Sequence, residues 1–100
     1  MIKHIVVWKL KEHAHGHTKQ ENAEKIKMLL ESLNGKIPGM IKLEVGIDFS
    51  QTGSSYDIAL YSEFESRKHL DAYQEDPLHT NMKPFIFSCR EERKMVDFEV

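Results

Sequence analysis

The segment Ile2–Lys11 is apolar at its centre on both of the faces that a strand would present. Its even positions are Ile2, His4, Val6, Trp8 and Leu10, and its odd positions are Lys3, Ile5, Val7, Lys9 and Lys11. Side chains of a strand alternate between two faces, so a strand of this kind needs cover on both. That requirement limits the chain to architectures in which a sheet is packed from two sides.

The chain reads as six main elements, of which this strand is the first. Lys11–His17 is polar and reads as a loop. Thr18 and Glu21 have capping-box spacing, so a helix starts at Thr18. Ala23, Ile26, Leu30 and Leu33 recur on one helical face, widened by Leu29. Asn34-Gly35 stops that helix, because glycine accepts the left-handed cap conformation. After the Pro38-Gly39 turn, a second strand covers 40–49, with Ile41, Leu43, Val45, Ile47 and Phe49 on one face. Ser50–Ser55 is a turn-rich connection. A third strand covers 56–64, with Tyr56, Ile58, Leu60 and Phe64 on one face and Ala59 and Tyr61 on the other. Ser66 caps a second helix carrying Leu70, Ala72 and Tyr73; Asp76-Pro77 restarts it and Pro84 limits it. A last strand covers 89–99.

The order β-α-β-β-α-β predicts an α+β, ferredoxin-like fold, with a four-stranded antiparallel sheet and both helices on one face. One sheet face is then bare in a monomer. Leaving Val6, Trp8 or Tyr61 in water would forfeit roughly 1.5–3 kcal/mol per large side chain. A second copy of the same sheet is the simplest cover, so a two-fold homodimer through the sheet faces is expected. A monomer with a partly covered sheet is the alternative.

Bulk properties narrow the function. The 100 residues suit a single domain, 1–100, with one modest core. The formal net charge of -2 argues against a general nucleic-acid binder, which needs a clustered excess of Lys and Arg. No apolar run approaches the roughly 20 residues that span a bilayer, so no membrane role is expected. The apolar stretch near Met1 is too short for a signal sequence, and Cys89, the only cysteine, allows no internal disulfide. A cytoplasmic location is therefore expected. There is no glycine-rich phosphate loop and no nucleophile elbow, so no cofactor is indicated. Arg90-Glu91-Glu92-Arg93-Lys94 mixes both signs and reads as a solvated strand surface.

Several pieces, taken in order, resemble the stress-responsive α/β-barrel (Dabb) family. They are His4-Ile5-Val6-Val7-Trp8-Lys9-Leu10-Lys11, Lys36-Ile37-Pro38-Gly39, Leu43-Glu44-Val45-Gly46 and Tyr56-Asp57-Ile58-Ala59-Leu60. Phe64-Glu65-Ser66, Ala72-Tyr73-Gln74, Pro77-Leu78-His79 and Val96-Asp97-Phe98 follow. The resemblance implies two ferredoxin-like protomers paired through their sheets as a dimeric α+β barrel. It implies less about activity, since most members have no assigned reaction. The wider superfamily includes cofactor-independent monooxygenases, and a plant branch includes a polyketide cyclase. In that branch a histidine and a tyrosine do acid–base work in the cavity between sheet and helices.

His79 and Tyr73 match that pair by position around Pro77-Leu78-His79. A histidine can take a proton from a carbon beside a carbonyl, and a tyrosine can hold the developing enolate oxygen. The plainer reading makes His79 a brace for the second helix and Tyr73 half-buried packing. The cyclase branch has a third-strand histidine where this chain has Ile58, a departure that counts against the same reaction. His4, on the face of Val6 and Trp8, is either a satisfied core residue or, as the resemblance implies, part of the cavity lining. Trp8 packs against the cavity wall or the dimer partner. His13, His15 and His17 would lie on one side of an extended segment, where imidazoles can bind zinc, nickel or copper. That spacing matches no structural zinc motif, and a solvated loop is the simpler reading. Cys89 has no base beside it in sequence and reads as a structural thiol.

Three functional expectations follow. The first is a homodimer of unassigned activity that binds a small apolar or aromatic molecule between sheet and helices. The second is a cofactor-independent enzyme, polyketide-cyclase-like or monooxygenase-like, with His79 as base and Tyr73 as hydrogen-bond donor. The third is a metal-binding module built on His13, His15 and His17.

Overall fold

Four antiparallel strands carry the chain's main elements. The computed structural model describes residues 1–100. Strand β1 (Ile2–Leu10) is followed by a small hairpin of β2 (His13–Ala14) and β3 (His17–Thr18), then helix α1 (Lys19–Glu31). Strands β4 (Met40–Ile47) and β5 (Ile58–Phe64) come next. Helices α2 (Arg67–Glu75), α3 (Pro77–Thr80) and α4 (Lys83–Cys89) lead into β6 (Arg90–Glu99). The sheet order is β4-β5-β1-β6, so β1 sits in the middle and β4 and β6 are edges. This is the ferredoxin-like α+β fold expected from the element order. No helix is long and apolar enough to cross a membrane.

Local chemistry sets the boundaries. The capping box forms as read: Glu21 N donates to Thr18 Oγ1, and Thr18 N donates to the Glu21 carboxylate. Gly35 and Gly39 adopt positive φ at the two turns before β4. The second helical region is three short pieces, not one helix and a fragment. Asp76 accepts a hydrogen bond from Leu78 N and Pro77 opens α3, while Pro84 lies in the first turn of α4, where its missing N–H costs nothing.

Alternate residues of β1, namely Ile2, His4, Val6, Trp8 and Leu10, are buried beneath the helices. They join Leu43, Val45, Ile58, Leu60 and Phe64 of the sheet in one core with Ala23, Ile26, Leu30, Leu70 and Tyr73. This corrects the assignment of Val6 and Trp8 to the bare face: they are 2% and 6% exposed in a single chain. Both faces of β1 are apolar, so alternation alone does not say which one meets the helices. The open face carries the odd positions. Ile5 stands there between Tyr61 and Val96, and Val7 stands beside Ala59. Phe98 is exposed on the same face, opposite Lys3, whose ammonium lies 2.6 Å from the Tyr61 hydroxyl and 3.1 Å from Glu63.

Two further expectations change. Ile41 and Phe49 are exposed, although the alternation placed them with Leu43 and Val45. The register shifts between Met40 and Lys42, where Ile41 is an extra residue, so half-buried Met40 takes the inward place. The strand ends at Ile47, which leaves Phe49 outside it. The segment read as a plain loop before α1 contains the β2–β3 hairpin, reversing at His15 and Gly16, both at positive φ.

Candidate functional site

Between the helices and the β1–β6 side of the sheet lies a cavity of about 300 Å³. Its floor is His4, Val6 and Trp8 of β1 with Leu60 of β5. Tyr73 and His79 close one side, and α4 contributes Ile86 and Phe87. The alternation of β1 explains the floor, since residues two apart on a strand face the same way.

The candidates therefore meet. Tyr73 and His79 are stacked, with ring centroids 4.2 Å apart and planes 24° apart. The His4 ring meets Tyr73 edge-on at 6.5 Å. Phe64 packs on Tyr73 at 5.1 Å and fixes it from within the core. No hydrogen bond joins the three polar side chains to one another; they are neighbours around a shared space.

His4 owes its setting to strand register. It lies opposite Asp97 of β6, and its Nδ1 is hydrogen-bonded to the Asp97 carboxylate. On its other side, the buried Ser62 hydroxyl donates to the His4 carbonyl at 3.1 Å. With Nδ1 facing Asp97, Nε2 is the ring nitrogen left for a ligand. The sequence reading missed Asp97. Its only signal is a carboxylate between Val96 and Phe98, and the pairing joins the two ends of the chain.

His79 is half-buried on α3, and its Nδ1 is sealed from solvent without a hydrogen-bond partner. Burial chiefly, helped by the nearby Lys83 cation, pushes its pKa down to about 4; a contact with the Gln74 backbone works the other way. The ring is then neutral at physiological pH. Burial likewise pushes the Tyr73 phenol well above its usual value, against a smaller pull from Arg93. Tyr73 thus keeps its proton and can donate it in a hydrogen bond. A neutral imidazole beside a protonated phenol can accept and donate to the two ends of one polar group.

Three cations, Lys83, Arg90 and Arg93, also line the cavity. The sequence reading took the two arginines for a solvated surface, because alternating charges in a strand do not reveal which face is inward.

The three loop histidines are not gathered. The reversal at His15 and Gly16 breaks the extended segment that would have aligned them. His15 Nε2 lies 2.6 Å from Ser88 Oγ and its ring packs on Phe85, while His17 Nδ1 is 3.7 Å from Glu21. No group of three potential metal ligands occurs in the chain. Cys89 is buried, and that burial pushes its thiol up, which opposes nucleophilic use.

No curated protein matches the chain in sequence. A dimeric protein of unknown function with a ferredoxin-like fold from Bacteroides fragilis is 32% identical, with a TM-score of 0.86, over 99% of this chain and 95% of its own. A dimeric ferredoxin-like protein of unknown function from Jannaschia sp. CCS1 is 25% identical, with a TM-score of 0.77, over 99% of this chain and 98% of its own. A putative antibiotic biosynthesis monooxygenase from Nitrosomonas europaea shares the fold at 18% identity and a TM-score of 0.78, over 100% and 98% of the two chains. The model of the Stress Responsive A/B Barrel Domain matches residues 2–100, and the chain belongs to that family.

Proposed function

We propose that the protein is a homodimer that binds a small apolar or aromatic molecule in the cavity between sheet and helices. The observation that carries this is the meeting of His4, Tyr73 and His79 on one open space with an apolar floor. Apolar walls with a few converging polar groups are the usual form of a small-molecule site.

Binding is tested by titrating a panel of small aromatic ketones and phenols while following the fluorescence of Trp8, the only tryptophan and part of the cavity floor. A saturable change in wild type that is lost when Val6→Phe fills the space is the expected result. An unchanged response in the filled variant would reject the cavity as the site.

The second reading is cofactor-independent proton transfer, and the stacked Tyr73–His79 pair favours it. His79, unprotonated, takes a proton from a carbon beside a carbonyl, and Tyr73 holds the oxygen on which charge develops. A pKa near 4 makes His79 a ready but weak base, so the His4–Asp97 pair is the natural partner for a second proton movement. The fold accommodates proteins described as a monooxygenase and as a hydroxynitrile lyase. His79→Ala should abolish exchange of the α-proton of a bound ketone while the circular dichroism spectrum is kept. Unchanged exchange would remove His79 from the role.

A further inference from the structure

The mouth of the cavity carries three cations, none of which forms an ion pair with a carboxylate of the chain. Lys83, Arg90 and Arg93 line it, and no Asp or Glu does. The nearby acids are engaged elsewhere. Asp97 holds His4, Glu92 pairs with Lys94, and Glu99 pairs with Arg67. The cations themselves are positioned by neutral groups. The Lys83 ammonium donates to the Gln74 carbonyl at 3.3 Å, and the Arg90 guanidinium lies 4.7 Å from the centre of the Phe87 ring. Burial disfavours the charge on the Arg93 guanidinium, the like charge of Arg90 adds to that, and Asp97 offsets part of it. Converging like charges repel, and an anion placed between them removes the repulsion.

Strand register gives the site a direction. Arg93 lies opposite Trp8 and Asp97 opposite His4, both on the helix side of the sheet. Four residues along a strand span about 13 Å. The guanidinium therefore marks the outer end of the cavity floor and the imidazole its inner end. Between them the floor is Val6 and the ring of Trp8.

We propose that Arg93 and Arg90, assisted by Lys83, form a carboxylate-binding subsite, and that the ligand is a small aromatic carboxylic acid. This rests on the cavity's being a ligand site. The acid group sits at the mouth, where arginine can receive both oxygens, and the apolar body lies on Val6, Trp8 and Leu60. The far end of the molecule is directed towards Tyr73, His79 and His4. Arg93 and Arg90 thus determine specificity by charge, and the polar trio meets whatever the acid carries at its other end.

The test compares hydrocinnamate with its neutral amide, hydrocinnamamide, by calorimetry and Trp8 fluorescence on the intact protein. The acid should bind about tenfold tighter than the amide or better, and added salt should shrink the difference. Arg93→Gln should lower acid binding to the level of the amide without changing the amide, and Arg90→Gln should do so in part. Arg67→Gln, which removes a surface cation paired with Glu99, should change neither. Equal binding of acid and amide by wild type would overturn the subsite and leave the cavity standing as a neutral ligand site. Binding of neither compound at about 10 mM would overturn both. An Arg67→Gln effect as large as that of Arg93→Gln would reduce the preference to general surface charge and overturn the subsite.

Discussion

His79 shows how a single setting can serve binding and oppose stability at once. Its ring is buried against Tyr73, and burial holds its pKa near 4, below the ordinary 6.5. In the unfolded chain the imidazole takes a proton as pH falls through about 6.5, whereas in the fold it does so only near 4. The unfolded state therefore binds more protons between those values, and stability is lost as pH falls through that window. The loss should be on the order of 1–2 kcal/mol, allowing for solvent at the cavity mouth. Urea unfolding at pH 7 and again near pH 4.5 should show it, and His79→Gln should flatten this part of the profile. An identical acid slope in the variant would assign the loss to other groups. The histidines and Tyr73 were legible in the sequence because local motifs carry them. Asp97 and Arg93 were not, because their partners His4 and Trp8 are brought to them by sheet register from the far end of the chain.

At the scale of elements, the order and nature of the main segments were legible, and the faces were only partly so. Thr18, Ser66 and Asp76-Pro77 are punctuation with a local mechanism, whereas α1 ends at Glu31 with Ser32 as its cap, ahead of the stop expected at Asn34-Gly35. The Ile41 bulge and the choice of inner face for β1 depend on partners that no local pattern encodes. Asn34 illustrates the difference. It reads as a helix stop, yet its amide side chain also donates to the Leu43 carbonyl at 2.9 Å and accepts from Leu43 N at 3.0 Å. Glu31 accepts from Val45 N at 3.0 Å, and Lys27 donates to the Val45 carbonyl. Side chains from α1 and its C-terminal turn thus occupy edge groups of β4 that a stray strand would otherwise use. Asn34→Ala should destabilise the protein by about 1–3 kcal/mol and raise amide exchange at Leu43. No change in exchange there would mean that water replaces the side chain without loss. Gly39 makes a second case. A Cβ there would lie 2.1 Å from the His69 ring, and its φ is +75°. Gly39→Ala should cost more than the roughly 1 kcal/mol of the backbone conformation alone. Placed in a His69→Gly background, which also removes the His69 Cβ that would lie 2.7 Å away, the change should recover the steric part. A double variant no better than the single would place the whole cost in the backbone.

For the whole molecule, the open sheet face and the cavity are separate consequences of one strand. The even side of β1 is covered by the chain's own helices, so the cavity belongs to a single protomer. The odd side is left with Ile5, Val7, Tyr61, Val96 and Phe98, a row across β5, β1 and β6 bordered by Lys3, Glu63 and Lys94. An apolar centre with a charged rim is the anatomy of a protein interface, and the 32% identical relative from Bacteroides fragilis is described as dimeric. Wild type should therefore sediment at twice the chain mass, with a Tm that rises with protein concentration. Ile5→Glu, which puts a charge between Tyr61 and Val96, should give a monomer whose Tm no longer depends on concentration. Val96→Asp, on the edge strand, tests the same face where the cost to folding is smaller. A monomeric wild type would require another cover for this row. Because the cavity lies on the opposite side of the sheet, the Ile5→Glu monomer should still bind hydrocinnamate within about threefold of wild type. A monomer that folds but has lost that binding would show that the second protomer holds the cavity in shape, and the two faces of β1 would then have to be treated as one coupled site.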